Sequence, residues 1–247
     1  MLPKQFWRNY YNRPKGQFNE HGIIMFCGAQ GQGKTLAETK YLMDMGVKYP
    51  DVKICTNYGY LNEDEQIDNW RKLVDYNNGQ KGVICAVDEI QNWFSSAMSK
   101  SFPPRMMATV TQNRKNRRVI ICSAHFFNNP SKPIRIHTTE VRDCRTFLGC
   151  FTVVRRSRPV FDASGDVIKF RRLGYYSFVH SEELYNAYDT YRVIQNLSAA
   201  GFKDDDYAVI QGDSSPSYVS HRGKRNRSAL VESTVNTNID DVMRGLR

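Results

Sequence analysis

Short apolar runs alternate with amphipathic stretches over the first half of the chain. Continuous apolar runs at residues 22–27, 52–57, 83–87 and 119–123 are typical of strands buried on both faces. Apolar residues at helical spacing between these runs predict helices on both faces of a mostly parallel sheet. The predicted helices cover residues 35–47 and 62–76, a segment through Ile90, Trp93 and Phe94, and a segment that starts at Pro103 and Pro104 and passes Met106, Met107 and Val110.

The pattern changes beyond residue 130. Residues 145–156 and 160–172 predict two antiparallel strands, and the turn residues at 162–165 indicate a second hairpin in this region. Residues 184–197 predict a tyrosine-rich helix. From residue 203 onward the chain is polar, with a basic run at 221–227, which predicts a mobile tail.

A glycine-rich segment lies between the first predicted strand and the first predicted helix. It fits the pattern Gly-x-x-x-x-Gly-Lys-[Ser/Thr] at every fixed position. Glycines let such a loop wrap closely around phosphate, and the next helix presents its positive N-terminal end. We therefore predict an ATP site in which Lys34 bridges the β- and γ-phosphates and Thr35 binds Mg²⁺. The predicted nucleotide-binding residues are Gly28, Ala29, Gln30, Gly31, Gln32, Gly33, Lys34 and Thr35.

An acidic pair, Asp88 and Glu89, ends the third apolar run. On a buried strand that follows a P-loop, such a pair predicts that Asp88 holds Mg²⁺ through water and that Glu89 polarises the water attacking the γ-phosphate. Acidic residues at this position also cap the next helix in many proteins, which is the plainer interpretation.

A cationic cluster at residues 112–118 precedes the fourth predicted strand. An arginine beside an ATP site can act as a finger that stabilises the transition state, either in cis or from a neighbouring subunit. The cluster also fits a solvated helix end or a contact to the DNA backbone. We assign the finger to Arg114 or Arg117, with Arg118 and Arg105 as further candidates.

Two polar residues, Ser123 and His125, lie where the fourth predicted strand ends. Either could sense the γ-phosphate, or His125 could hydrogen-bond within the core.

Composition narrows the class of protein. The 247 residues suit one α/β domain with additions, and the formal net charge of +10 favours an acidic partner such as nucleic acid. The six cysteines form no Cys-x-x-Cys pair, and four lie in predicted core strands, which indicates a reduced, cytoplasmic protein. The longest apolar stretch, residues 23–27, is far shorter than the ~20 residues of a membrane helix, so we expect no membrane span.

Arginines interleave with phenylalanines between residues 135 and 172. Such strands can hold nucleic acid by phosphate contact and stacking. An amphipathic hairpin with its apolar side chains inward explains the same pattern.

These segments, in this order, resemble the zonular occludens toxin-like proteins and the related viral genome-packaging ATPases of the FtsK/HerA branch of P-loop ATPases. The resemblance rests on the strand and P-loop, on Cys55-Thr56-Asn57, on residues 87–94 and on the basic stretch before His125. It covers roughly residues 20–145, and residues 184–191 are similar to a tyrosine-rich segment that follows the ATPase core in such proteins.

The resemblance implies a RecA-like P-loop ATPase fold with a mostly parallel sheet, helices on both faces, a C-terminal β-hairpin region and a helix. It implies the same roles for Lys34, Thr35, Asp88 and Glu89, and a homo-oligomeric ring whose arginine finger acts in trans. Two departures stand out. The family often has glutamine where this chain has His125, and the toxin-like proteins carry a membrane-spanning helix that we do not expect here.

The expected organisation is an N-terminal arm at residues 1–20, a P-loop ATPase core at 21–145, a β-hairpin and helix completing the domain at 146–202, and a polar tail at 203–247. The favoured function is an ATP-hydrolysing motor, cytoplasmic or virion-associated, that packages viral or phage DNA. Its expected partners are DNA and capsid or virion membrane vertex proteins.

The first alternative is a toxin-like ATPase for phage assembly or export at a membrane. A small-molecule or nucleoside kinase and a regulatory nucleotide-binding protein with little turnover also remain open.

Overall fold

An eight-stranded β-sheet forms the centre of the protein; the computed structural model describes Lys4 and residues 17–189. The strands are β1 (Gly22–Cys27), β2 (Lys53–Thr56), β3 (Glu65–Gln66), β4 (Val83–Val87), β5 (Arg118–Ala124), β6 (Thr138–Phe147), β7 (Phe151–Phe161) and β8 (Val167–Val179). Their order across the sheet is β3-β2-β4-β5-β1-β6-β7-β8. The pairings from β3 to β6 are parallel, and β7 pairs antiparallel with both β6 and β8.

Helices cover both faces of this sheet, as the apolar pattern predicts. Their bounds are α1 (Lys34–Lys48), α2 (Trp70–Asp75), α3 (Pro104–Thr111), α4 (Lys132–Ile136) and α5 (Glu182–Asn186). One apolar core contains side chains of α1 and α5, and the other contains side chains of α2, α3 and α4. The fold is thus the expected α/β P-loop type, a mostly parallel sheet with helices on both faces and an antiparallel C-terminal addition.

The central strands are buried from end to end, because helices pack on both of their faces. Every residue of β4 and β5 is buried. The cysteines of the four predicted core strands are all buried and free. Burial raises the pKa of the Cys27 thiol well above its usual range, so it remains protonated and behaves as a small apolar group.

The predicted helix at residues 62–76 is wrong in its first half. Glu65–Gln66 forms β3 at the edge of the sheet, and the Ile67 amide donates to the carbonyl of Thr56 at 2.7 Å. Helix α2 begins only after Asn69, whose side chain caps it by accepting from the Arg71 amide. Pairing with β2 takes up the backbone donors that a longer helix would need.

The predicted helix through Ile90, Trp93 and Phe94 is only a 3₁₀ turn, Ile90–Asn92. Glu89 precedes it with a φ of 58°, in the left-handed region. The amides of Trp93 and Phe94 both donate to the Ile90 carbonyl, and the Phe94 carbonyl accepts from the Ser131 amide at 2.8 Å, so the turn does not continue as a helix.

The antiparallel region is present, but its strand bounds differ from the prediction. Residues 145–156 and 160–172 each span a turn, because the chain reverses both at 148–149 and at the predicted turn at 162–165. Three residues connect the paired ends Phe147 and Phe151; the first two, Leu148 and Gly149, have φ values of 52° and 70°, and the Cys150 amide donates to the Phe147 carbonyl at 3.2 Å. Leucine is an unusual residue there, so the first turn gave a weak signal in the sequence.

The N-terminal arm predicted at residues 1–20 is partly core. Phe18 is 2% exposed and its ring packs edge-on against Tyr49 at 5.1 Å. The rest of the predicted arm up to residue 16, apart from Lys4, lies outside the described residues, as do the predicted helix beyond residue 189 and the tail from residue 203. Among the described helices, each is too short or too polar to cross a membrane.

Substitution of two glycines tests how tightly the start of β4 packs. A Cβ at Gly82 would lie 2.1 Å from the ring of Phe18, whereas at Gly79 nothing lies within 4 Å; φ is positive at both. We expect Gly79→Ala to cost about 1 kcal/mol from backbone strain and Gly82→Ala about 3 kcal/mol or more, since steric overlap adds to the strain. Urea unfolding measures both; equal losses would contradict the packing described for Phe18.

Candidate nucleotide-binding site

The glycine-rich loop lies at the carboxyl end of β1 and leads directly into α1. Gly31 and Gly33 have φ values of 75° and 74°, which favour glycine. A Cβ at Gly33 would lie 2.7 Å from the hydroxyls of both Thr146 and Thr152. Gly33 also caps α1 without a side-chain hydrogen bond, and no side chain of the described residues is hydrogen-bonded to the amides of the first turn. Those amides and the helix dipole suit a phosphate group.

The two residues that follow this loop make contacts at the heart of the site. The Lys34 ammonium is buried and donates to the Ala29 carbonyl across the loop at 3.1 Å. The Thr35 hydroxyl donates to Asp88 Oδ2 at 3.0 Å. The structure therefore brings together the loop and the acidic pair, which are 53 residues apart in sequence.

Hydrogen bonds fix the position of Asp88 from two neighbouring strand ends. Its amide donates to Asn57 Oδ1 at 2.7 Å, and its carbonyl accepts from Asn57 Nδ2 at 3.0 Å. The Ser123 hydroxyl donates to Asp88 Oδ1. The Asp88 carboxylate thus faces the loop with one oxygen on Thr35 and the other on Ser123.

Glu89 projects from a strained backbone beside this contact. Its amide donates to Ser123 Oγ at 2.8 Å, Gln91 Nε2 donates to one carboxylate oxygen, and His125 Nε2 lies 3.4 Å from the other. Burial and then the Asp88 charge raise the pKa of Glu89, while the charges of His125 and Lys34 oppose the rise. A carboxylate with a raised pKa accepts a proton more readily, which suits a general base.

The strand order explains how these groups share one edge. Strand β5 lies between β1, which carries the loop, and β4, which carries Asp88 and Glu89. Neighbouring strands are about 4.8 Å apart, so β1 and β4 are separated by roughly 10 Å. The end of β5 fills this interval, and the carbonyl of His125 accepts from the Gly28 amide at 3.3 Å. Both residues predicted as sensors, Ser123 and His125, therefore contact the acidic pair.

Glu38 is a buried acid beneath the loop that sequence reasoning missed. It lies in α1, is fully buried, and its two carboxylate oxygens have no hydrogen-bond partner among the described residues. Burial raises the pKa of Glu38 well above its usual range, and the Asp88 charge adds to the rise. Residues four apart on a helix share a face, so the four-residue spacing between Lys34 and Glu38 could have predicted from the sequence that both lie on the same side of α1.

A second polar group missed by sequence reasoning flanks the loop on the β6 side. The Thr146 and Thr152 hydroxyls are 2.8 Å apart, and Thr152 is hydrogen-bonded to His180 Nε2 at 2.7 Å. His180 Nδ1 is in turn 2.7 Å from the hydroxyl of Tyr185 in α5. Thr146 and Thr152 face each other only because the chain turns at 148–149, so this group became visible only with the correct hairpin.

The predicted arginine fingers lie at the opposite end of the sheet from the loop. Arg118 begins β5 and donates to the backbone carbonyls of Val74 and Tyr76, and Arg117 donates to the Gln80 carbonyl at 2.9 Å. The seven residues of β5 separate this end from Ala124, a distance of about 20 Å. The structure thus excludes a finger in cis from these two residues.

The other two candidates give no further contact with the site. Arg114 is exposed in the turn before β5, and Arg105 forms an exposed ion pair with Asp75 at 2.9 Å. Action of Arg114 or Arg117 on a neighbouring subunit remains a prediction.

The donors at the site fit Mg²⁺ together with a nucleotide. Thr35 and Asp88 offer oxygen ligands, which Mg²⁺ prefers, and Mg²⁺ is commonly held by one or two carboxylates plus substrate phosphates. Within the described part of the chain no group of three or more His, Cys, Asp and Glu side chains could hold a metal alone. The phosphates would therefore complete the coordination.

No family model matches the sequence, and no curated protein sequence matches it. Among solved structures, the chain is similar to the N-terminal domain of zonular occludens toxin from Neisseria meningitidis, with 16% identity, 68% of this chain and 99% of that chain covered, and a TM-score of 0.49. It is also similar to the DNA-packaging ATPase of Sulfolobus turreted icosahedral virus, with 11% identity, 62% and 98% covered, and a TM-score of 0.45. The genome packaging NTPase of Sulfolobus turreted icosahedral virus 2, solved with AMPPCP, gives 11% identity, 62% and 97% covered, and a TM-score of 0.43.

The buried carboxyl of Glu38 predicts a pH-dependent loss of stability. Because its pKa is raised in the folded state, folding requires proton uptake once the pH exceeds the ordinary value of 4.5, and stability falls as the pH rises. We expect Glu38→Gln to raise the Tm by several degrees near pH 7.5 and to leave it unchanged near pH 4.5. Calorimetry across this range measures the effect. Asp44→Asn, an exposed site on the same helix, is the control, and parallel Tm profiles for wild type and Glu38→Gln would contradict the assignment.

Proposed function

We propose that this protein is an ATP-hydrolysing motor that translocates viral or phage DNA into a capsid. The observation that carries the hydrolytic part is the contact between Thr35 and Asp88, with Glu89 beside it. It supports a site where a phosphate-binding loop, a metal-binding pair and a base converge on one edge of the sheet. We assign the ATPase core to residues 21–145 and the completing hairpin and helix to residues 146–202.

Phosphate binding is the task of the loop and the start of α1. The uncapped amides of the first turn, with the positive end of the helix dipole, would bind the phosphates. Lys34, which donates to the Ala29 carbonyl, would exchange that acceptor for phosphate oxygens. Residues 28–35 together form the proposed ATP site.

Thr35 would hold Mg²⁺ through its hydroxyl, and Asp88 would hold it through water; the two side chains now share a hydrogen bond. When bound, the ion neutralises charge that develops on the phosphates. Asn57 keeps Asp88 in place by clamping its backbone on both sides.

Glu89 would accept a proton from the attacking water. Its left-handed backbone and its contacts with Gln91 and His125 would hold the carboxylate beside the γ-phosphate. Catalysis would come mainly from positioning of the water and from charge stabilisation. This arrangement favours water as the acceptor over a nucleoside or small molecule, and hence a hydrolase over a kinase.

Arg114 or Arg117 would supply positive charge to the site of a neighbouring subunit in a homo-oligomeric ring. This part of the proposal is supported by their position at the far end of β5, which is too distant for either arginine to act on the site of its own subunit. For the finger to act, the ring must bring that end near the loop of the next copy.

The DNA part of the proposal is supported by the net charge of +10 and by the sequence resemblance to genome-packaging ATPases. Such a motor would work in the host cytoplasm or at the virion. It would dock to capsid or virion membrane vertex proteins.

Replacement of the proposed base gives a direct test. We expect Glu89→Gln to lower kcat for phosphate release by 10²–10⁴-fold, since general-base catalysis contributes about that much, while ATP binding is retained. Phosphate release with Mg²⁺, with and without duplex DNA, measures the effect. Glu65→Gln, at the half-exposed sheet edge, is the matched control and should remain active.

DNA-stimulated turnover that disappears with Glu89→Gln supports the motor. ATP turnover that does not change when DNA is added would contradict the motor proposal and favour the toxin-like ATPase for assembly at a membrane. Full activity of Glu89→Gln would remove Glu89 from the mechanism.

A further inference from the structure

Three cations lie together on one face of the hairpin formed by β7 and β8. Arg158 stands directly opposite Arg171, and Lys169 stands opposite Val160. Residues two apart in a strand share a face, so Arg171 and Lys169 both lie on the side of Arg158. All three are exposed. We call these three residues the hairpin cation cluster.

A β-bulge assembles this cluster. Gly174 pairs with Arg156 and Arg172 pairs with Ser157, so Leu173 is an extra residue in β8. A bulge shifts the residues beyond it to the other face. Without this shift, Arg172 and Phe170 would lie on the face of Arg158. With it, that face carries three cations.

Among the described residues the cluster has no ion-paired countercharge, whereas nearby arginines have one. Arg155 pairs with Asp143 at 2.8 Å, and Arg156 pairs with Glu140 at 2.8 Å. Within residues 17–189, no carboxylate pairs with Arg158, Lys169 or Arg171. Like charges directly opposite each other in a sheet are destabilising. An anionic partner on this face would offset that cost.

The cluster's face also lacks exposed aromatic rings among the described residues of β8. Phe170 faces the other side and packs edge-on against Phe127 at 5.4 Å. Tyr175 pairs with Arg155, on that same opposite face. Recognition at the cluster is therefore by charge rather than by base stacking.

We propose that the hairpin cation cluster binds the phosphate backbone of double-stranded DNA without sequence preference. Duplex DNA carries one charge per ~1.7 Å of axis, a denser charge than a single strand offers, and binding by charge alone favours it. The inference rests on the proposed function, since it assigns the contact surface for the DNA cargo. It also identifies the cargo as duplex.

The test is binding of the full chain to fluorescein-labelled duplex DNA of mixed sequence over a salt series. We expect Arg158→Gln with Arg171→Gln to weaken binding about tenfold or more and to reduce the slope of log K against log salt by about 1.8, since each phosphate contact contributes about 0.9. Wild type should bind the duplex more tightly than a single strand of equal length. ATP hydrolysis without DNA should be unchanged, which also verifies folding.

Arg71→Gln with Lys72→Gln is the matched control, because it removes the same charge from α2, where Lys72 donates to the Gln66 carbonyl of β3 at the opposite sheet edge. The inference is overturned if the control variant loses as much duplex affinity as the cluster variant, or if the salt slope of the cluster variant is unchanged. It is also overturned if the wild type binds a single strand or anionic phospholipid vesicles more tightly than the duplex. Loss of hydrolysis with retained duplex binding in Glu89→Gln supports the proposed function. Loss of duplex binding with retained hydrolysis in the cluster variant supports the hairpin cation cluster as the DNA contact.

Discussion

The site depends on the placement of one carboxylate, that of Asp88. Its two oxygens contact Thr35 from the loop and Ser123 from β5, while its backbone is held by Asn57 after β2. Segments from four parts of the chain therefore meet at a single residue. Such a buried polar network stabilises the fold only when its members are satisfied, so small shifts of any strand end would disturb all of it. The strained backbone of Glu89 persists because these hydrogen bonds over-determine it.

Polar contacts reach the loop from its other flank as well. Gly33 packs against the hydroxyls of Thr146 and Thr152, and Thr152 connects through His180 to α5. The β6–β7 turn region thus contacts the candidate site, whereas the cation cluster lies further along β7 and β8. One continuous structural unit, the β6–β7–β8 region, touches the loop and presents the surface proposed for DNA.

Much of this could be predicted because the signals are local. The loop motif, the acidic pair and the buried strands are each set by a few neighbouring residues, through glycine conformations and continuous apolar runs. Helix bounds failed where long-range pairing took the backbone donors, as at β3, and where a residue such as Leu148 adopted a positive φ. The position of the predicted arginine fingers relative to the site could not be predicted, since a run of arginines before a strand gives no information about which end of the sheet faces the site.

By itself, the sequence determined the glycine-rich loop motif, the residues Lys34, Thr35, Asp88 and Glu89 as candidates for the site, and an α/β sheet with helices on both faces. Only the tertiary structure decided that β5 separates β1 from β4, that Glu38 is buried with no hydrogen-bond partner in the described part of the chain, and that a bulge brings Arg158 and Arg171 together. The reason is physical. Motifs and periodicity report the conformation of adjacent residues, whereas strand order, burial and register follow from the packing of segments far apart in the chain.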